Sequence, residues 1–399
     1  MRFLRLDTSY LRLLACLAVA QVVGWGTLSL PAVAGSAMAG DLSLGLTVIF
    51  AGPSVLYVAM GLWAPMLVPV FTRHGARKVM IAGSTLAAPG LVLLALSQDL
   101  FSYFAAWVVL GSAGAATLST AAYIFLNETL GQQAKSAIGA LMLVTGLSSS
   151  VFWPLTAFLM QTIGWRGACL VFAAAMLLIC VPIYSFGLGV RALHRAPAGA
   201  HAVQGGKAPV TRSTFYLVTT SITLNAFVTL GLSAVLIELL RARGLSMPQA
   251  VAFGSFLGVI QVAARGIDLL GGGRWDGVST GIVAGSLLPI AMILLIVAGG
   301  TTPGIAGFIL IYGLGSGALA VARATIPLAF YDKADYARAA SRIALPLNLL
   351  SASAPPVMAG TLSHFGVDMV LALAILCSSL ASVLLIVLRV RRPALAPAE

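Results

Sequence analysis

The tripeptide Ala82-Gly83-Ser84 returns as Ala284-Gly285-Ser286, and the 202-residue shift between them recurs along the chain. Gly75 matches Gly277, Pro154 matches Pro356, Gly164 matches Gly366 and Thr27 matches Thr229 at that same offset, while Trp25 meets Phe227. Half of 399 residues is close to this shift, so it maps one half of the chain onto the other. One offset shared by separate places in a strongly apolar chain marks a duplicated membrane bundle, as found in secondary carriers.

Composition agrees. Apolar residues make up 60% of the chain, charged residues 9%, and the mean hydropathy is +1.02. A soluble surface needs roughly 25% charged residues, so a soluble fold is excluded. The net charge of +12 sits in short loops between apolar runs instead of on one basic face, which argues against nucleic acid as a partner. Cys16, Cys169, Cys180 and Cys377 all lie inside apolar runs, with no disulfide or zinc spacing.

A crossing takes about 20 apolar residues. Twelve candidates cover 11–33, 45–70, 79–97, 101–124, 136–160, 167–188, 214–240, 247–270, 278–298, 304–330, 340–361 and 367–388. The first run follows Arg2, Arg5 and Arg12, but it is long for a signal core and eleven spans follow it, so it is expected to stay. Placing the N-terminus inside puts 19 of 23 Lys and Arg on the cytoplasmic side; Arg166, Arg241 and Arg243 fall outside and Arg323 within a span. Both termini are therefore expected in the cytoplasm. The long connection 189–213, rich in Gly and Pro, reads as a cytoplasmic linker. The expected organisation is an all-α membrane protein: a six-helix bundle over 1–188, the linker, and a second bundle over 214–399.

Six plus six helices, a central linker and a basic loop after the second span resemble the major facilitator superfamily, distantly its monocarboxylate-type carriers. The loop Thr72-Arg73-His74-Gly75-Ala76-Arg77-Lys78 is similar to the family's Asp-Arg-x-Gly-x-Arg-Arg loop, with Thr72 where the family usually has Asp. The resemblance implies that Arg73, Gly75, Arg77 and Lys78 form a gating loop that locks the cytoplasmic side between states. Gly164-Trp165-Arg166 and Arg323-Ala324-Thr325-Ile326-Pro327 also fit the superfamily. Gln261 and Arg265 resemble the Asp-x-x-x-Arg pair of monocarboxylate-type carriers, with Gln in place of Asp. Phe152-Trp153-Pro154 lacks the surrounding glycines of the drug antiporter motif.

Polar residues are spread unevenly. The third, sixth, ninth and twelfth spans hold no interior charge, Asn or Gln, and read as outer supports. The others carry Gln21, Tyr123, Trp153, Asn225, Glu238, Gln261, Arg265, Asp268, Arg323 and Asn348. Large polar groups in lipid are costly and turn toward a cavity or toward each other. Gln21 and Asn225 are candidates either to bond substrate or to join helices. Trp25, between Gly24 and Gly26, either stacks on a ligand or packs a helix contact. Tyr123, Trp153 and Asn348 complete the binding candidates, the last near the kinking Pro355-Pro356. Arg265 and Asp268 are spaced to pair on one helix face. Glu238 is three residues from Arg241 and reads as its salt-bridge partner, with proton coupling as the alternative for it and for Asp268.

These features lead to a transporter and away from an enzyme. The spans hold no His, since His74, His194, His201 and His364 all fall in loops, and a membrane enzyme needs converging acids, nucleophiles or ligands. No Gly-x-x-x-x-Gly-Lys-Ser/Thr run provides a nucleotide site. No cofactor and no metal are expected. Arg323 and Arg265 favour a small anionic or carboxylate-bearing solute. A neutral planar metabolite or vitamin such as a flavin, held by Trp25, Trp153, Gln21 and Asn225, is the alternative, with efflux of a toxic compound third. A non-transporting scaffold on a carrier fold is a further class, separable by flux. The expected setting is the bacterial inner membrane, as a functional monomer, with the coupling ion left open.

Overall fold

The computed structural model describes residues 8–130, 134–188, 212–270, 276–330 and 333–390. Every regular element among them is helical. Lipid offers no partner to backbone N–H and C=O groups, so long apolar runs close their hydrogen bonds internally. In chain order the helices are α1 (Thr8–Leu28), α2 (Leu30–Leu42), α3 (Leu46–His74), α4 (Ala76–Leu96), α5 (Leu100–Thr117), α6 (Ser119–Leu130), α7 (Ala134–Thr145) and α8 (Ser148–Ala175). After two π-helical turns at Met176–Cys180 and Ile183–Gly187 come α9 (Arg212–Ala242), α10 (Met247–Leu270), α11 (Gly277–Ala298), α12 (Thr302–Phe330) and α13 (Lys333–Val390). Residues 189–211 of the expected linker lie outside the described residues.

Ten stretches among the described residues are long and apolar enough to cross a bilayer. Two of them, Ala137–Gly187 with 51 residues and Pro346–Val390 with 45, are too long for one crossing. Each turns at a glycine of positive φ, Gly164 at 72° and Gly366 at 81°. Splitting the stretches there gives twelve spans. A side chain at either glycine would be forced into a region that costs glycine nothing. The two are a repeat pair, so the duplication is visible in backbone geometry.

Both turns are clamped. Arg166, two residues past Gly164, bonds Asp41 at 2.9 Å and the carbonyls of Ala95 and Ser97 at 2.5 and 2.7 Å. Trp165 Nε1 donates to the same carboxylate at 3.0 Å. In the second half Arg243 pairs with Asp368, two residues past Gly366. Positions 41 and 166 shifted by 202 are 243 and 368, so the ion pair is repeated with its charges exchanged. An identity search cannot register this match, because the aligned residues are opposites.

Close helix approach is repeated in the same way. A Cβ at Gly83 of α4 would stand 3.0 Å from the Ala113 carbonyl of α5. One at Gly315 of α12 would stand 2.9 Å from the Ala284 carbonyl of α11. Positions 113 and 315 correspond; Gly285, the counterpart of Gly83, is retained, and in the second pair the α12 residue makes the close approach. The turn into α5 lies outside the apolar run and is capped reciprocally: Asp99 accepts from the Ser102 amide at 2.7 Å, and Ser102 Oγ accepts from the Asp99 amide at 3.1 Å. The Ser102 amide holds the Asp99 carboxyl below the usual carboxylate range.

The described residues form two compact units. The first contains the helices up to residue 188 and also Met247–Gly258 of α10; the second contains α9, the rest of α10 and α11 to α13. Within the first, Ser150 Oγ of α8 donates to the Ser255 carbonyl at 2.6 Å, and a Cβ at Gly258 would meet Ser150 Oγ at 2.2 Å. Three crossings of this unit are interrupted: between α1 and α2 at Ser29, between α5 and α6 at Leu118, and between α7 and α8 at Gly146 and Leu147. Helices α9, α10, α11 and α12 run unbroken.

Candidate functional site

In the first unit the interruption at Leu118 organises the polar residues. Leu118 has φ −81° and ψ −160°, which ends α5 and frees carbonyls that an unbroken helix would use. Gln21 Nε2 donates to the Thr117 carbonyl at 2.8 Å and to Tyr184 Oη at 3.1 Å. One turn further along α1, Trp25 Nε1 donates to Ser119 Oγ at 3.0 Å. Residues four apart share a helix face, so Gln21 and Trp25 together clasp the two sides of the break. Thr117 Oγ1 also lies 2.8 Å from Ser84 Oγ. Gln21 is fully buried, and its Oε1 has no hydrogen-bond partner. Trp25 is half-buried, with the Tyr57 ring at 6.4 Å. A cavity of about 10 Å³ beside Thr117 and Leu118 has room for about one water, not a solute.

Trp153 is buried and its Nε1 has no hydrogen-bond partner. Its neighbour Phe152 packs at a tilt against Phe172, ring centres 5.4 Å apart, and fills the space beside Gly26, where a Cβ would meet the ring at 2.1 Å. Tyr123 is half-buried against the core of the first unit.

In the second unit Gln261 of α10 donates from Nε2 to Ser316 Oγ of α12 at 3.0 Å. A Cβ at Gly317 would lie 2.5 Å from the Gln261 carbonyl, so the two helices touch there. Helices α10 and α12 are alternate crossings and run in the same direction. Arg265 is one turn beyond Gln261 and Arg323 is two turns beyond Ser316, each on the face that makes the contact. Two half-buried arginines thus lie on the same side of one crossing point. Neither is free of partners within the chain. Asp268 lies outside the residues whose side chains are described. Asn225 is buried with its amide against Gly285 of α11, and its Oδ1 has no hydrogen-bond partner. Asn348 is exposed. Glu238, also buried, accepts from Arg241 Nη1 at 3.3 Å.

The basic loop is a helix-to-helix turn. Gly75, at φ 78° and ψ 150°, ends α3 by donating to the Phe71 carbonyl at 2.8 Å and starts α4. Glu128 Oε2 of α6 accepts from the Ala76 amide at 3.0 Å, a carboxylate at a helix N-terminus. Arg77 Nε donates to the Tyr184 carbonyl at 2.9 Å, and its Nη2 to the Ser185 carbonyl. All these bonds run inside the first unit, whereas Arg73 and Lys78 are exposed.

Sequence reasoning missed Thr117, Ser119, Tyr184 and Ser316, which hold the predicted residues in place. The Thr117-Leu118-Ser119-Thr120 run, polar in mid-span, was the available signal. Among the described residues no group of three His, Cys, Asp or Glu is placed to hold a metal ion.

The family model described as Major Facilitator Superfamily matches residues 14–275. The chain belongs to this superfamily. Its members are transporters, not enzymes. Monocarboxylate transporter 11 of Mus musculus is 32% identical over 129 residues, 32% of this chain and 25% of that protein. Monocarboxylate transporter 2 of Rattus norvegicus is 23% identical over 181 residues, 45% of this chain and 36% of that protein. The chain thus aligns with about a quarter to a third of the length of these curated relatives. The fold is shared with the human organic anion transporter MFSD10 (TETRAN), at TM-score 0.65 and 17% identity over 96% of this chain and 100% of that one. A bacterial homologue of the human lysosomal transporter Spinster, inward-facing and occupied, gives TM-score 0.66 at 14% identity over 97% and 96% of the two chains.

Proposed function

We propose that this superfamily member is a secondary carrier that moves a small carboxylate-bearing or other anionic solute by alternating access. The observation that carries this reading is the α10–α12 contact, which sets Arg265 and Arg323 on one side of the Gln261–Ser316 bond. Guanidinium groups present a planar fork that matches a carboxylate. The similarity to monocarboxylate transporters and to an organic anion transporter supports the same class. The neutral planar alternative is weaker, because Gln21 and Trp25 spend their donors on the break at Leu118 and Asn225 is buried against α11. Counterflow of a labelled short-chain monocarboxylate in proteoliposomes tests the proposal: exchange above protein-free vesicles supports it. Its absence across a panel of anions, with uptake of a neutral solute, overturns it.

Coupling follows from the carboxylates. With Glu238 bound to Arg241, transport runs by facilitated diffusion or is driven through the charge of the solute. Glu238→Gln and Asp268→Asn are therefore expected to leave exchange intact and to respond to a pH gradient as the unaltered protein does. Loss of accumulation with retained exchange identifies the altered residue as a proton site.

The Lys/Arg bias supports a cytoplasmic position for both termini and the 189–213 linker, and the membrane is proposed to be the bacterial inner membrane. A cysteine at Gly199, in a variant lacking the four native cysteines, is expected to escape an impermeant thiol reagent added to intact cells. Strong labelling there reverses the orientation.

A further inference from the structure

Each unit carries an open groove, and the 202-residue shift relates the two. The first, about 450 Å³, lies between α3 and α4 with α5 as its floor. The second, about 340 Å³, lies between α10 and α11 with α12 as its floor. Positions 78, 82, 112 and 116 line the first, and their counterparts 280, 284, 314 and 318 line the second. The walls are apolar and open to the surroundings: Trp63, Val70 and Leu86 are 41%, 37% and 42% exposed, and Val283 and Ile267 are 66% and 53% exposed. Such apolar walls are chemically suited to an acyl chain.

The rims differ. The first groove ends at His74 and Lys78, both exposed, with exposed Arg73 next to them. In the second, the counterpart of Lys78 is Thr280 and the counterpart of His74 is Asp276, whose carboxylate is occupied in capping the Ser279 amide at 2.6 Å. Trp63 and His74 are eleven residues apart on α3, about 16 Å along a helix. That is about half of the roughly 30 Å hydrocarbon core, the depth of one leaflet.

We infer that the groove between α3 and α4 binds an anionic phospholipid, with an acyl chain along Trp63, Leu67 and Val70 and the headgroup phosphate at Lys78 and His74. Charge complementarity selects the occupant: an acyl chain alone fits either groove, whereas among the described residues lining the two grooves only the first set offers cations where a phosphate would stand. The bound lipid touches both helices that meet at Gly75, so it sits on the turn that joins them.

The test uses the full protein in phosphatidylcholine vesicles doped with phosphatidylglycerol or extra phosphatidylcholine carrying brominated acyl chains, which quench tryptophan fluorescence on contact. The Trp63 contribution is the difference between wild type and Trp63→Phe. Brominated phosphatidylglycerol is expected to quench this component with about fivefold higher apparent affinity than brominated phosphatidylcholine, the worth of one basic residue near a charged surface. Lys78→Gln combined with His74→Gln is expected to abolish the preference, and Lys78→Arg to keep it. Equal quenching by the two lipids in wild type overturns the inference. So does a preference that survives the double substitution, or quenching that Trp63→Phe leaves unchanged.

Discussion

Gly75→Val is expected to slow transport about tenfold or more while substrate affinity stays within about twofold. The backbone at Gly75, φ 78° and ψ 150°, lies in a region that residues with a side chain enter at a cost of about 1–3 kcal/mol. Space is not the difficulty. The nearest atom a Cβ would meet is Glu128 Oε2 at 3.9 Å, ordinary contact. The cost is therefore conformational, and Gly75→Ala should share most of it. A turn that relieves the strain must shift α4 against α3, pulling the Ala76 amide from Glu128 and Arg77 from the carbonyls of Tyr184 and Ser185. These bonds fasten the start of α4 to the ends of α6 and of the sixth span. A rate effect with affinity retained fits a loop that governs the exchange of states and does not touch solute. Normal flux in Gly75→Val shows the loop to be a topology signal only.

Spans, repeat and superfamily were legible because each rests on a strong, local or periodic signal. Twenty apolar residues have no other use in a chain this poor in charge, and a glycine at 164 and again at 366 marks the same positive-φ turn. The interruptions in mid-crossing were not legible. Leu118 is neither Gly nor Pro, and nothing in its own identity ends a helix. The break persists because residues far away in sequence, Gln21 and Trp25, bond the groups on either side of it. The same fact changes what Gln21 and Trp25 mean: polar residues in a span were expected to face solute, and these two spend their donors on backbone and hydroxyl partners of another helix. The exchanged ion pairs, Asp41–Arg166 and Arg243–Asp368, escaped for a different reason. Sequence comparison rewards identity, whereas electrostatics requires only opposite signs. The Gln261–Arg265 spacing was read from the chain, but its meeting with Ser316 and Gly317 is a packing result that no spacing foretells.

Arg323→Ala is expected to abolish anion exchange, and Arg323→Lys to weaken anion binding about tenfold or more with the fold intact. An arginine inside a span costs about 2.5–3.5 kcal/mol on insertion scales, and Arg323 offsets part of this with partners inside the chain. Its place on α12 is fixed by the contact at Ser316 and Gly317, two turns away, so it is presented by a packed helix and not by a loop. Arg265 stands on the same side of that contact, which gives this part of the second unit two cations within its spans. A carboxylate there accepts two parallel bonds from one guanidinium; an ammonium supplies the charge but not the paired donors. Lysine therefore separates two accounts. If Arg323 merely reaches toward the membrane edge, where it lies about 10 Å from the end of α12 at Phe330, Lys serves nearly as well. Equilibrium binding of a labelled monocarboxylate to the purified variants decides it, with circular dichroism and thermal unfolding confirming that each is folded. Wild-type affinity in Arg323→Lys sinks the assignment; a loss in Lys matched by a smaller loss in Arg265→Lys ranks the two arginines as primary and secondary contacts.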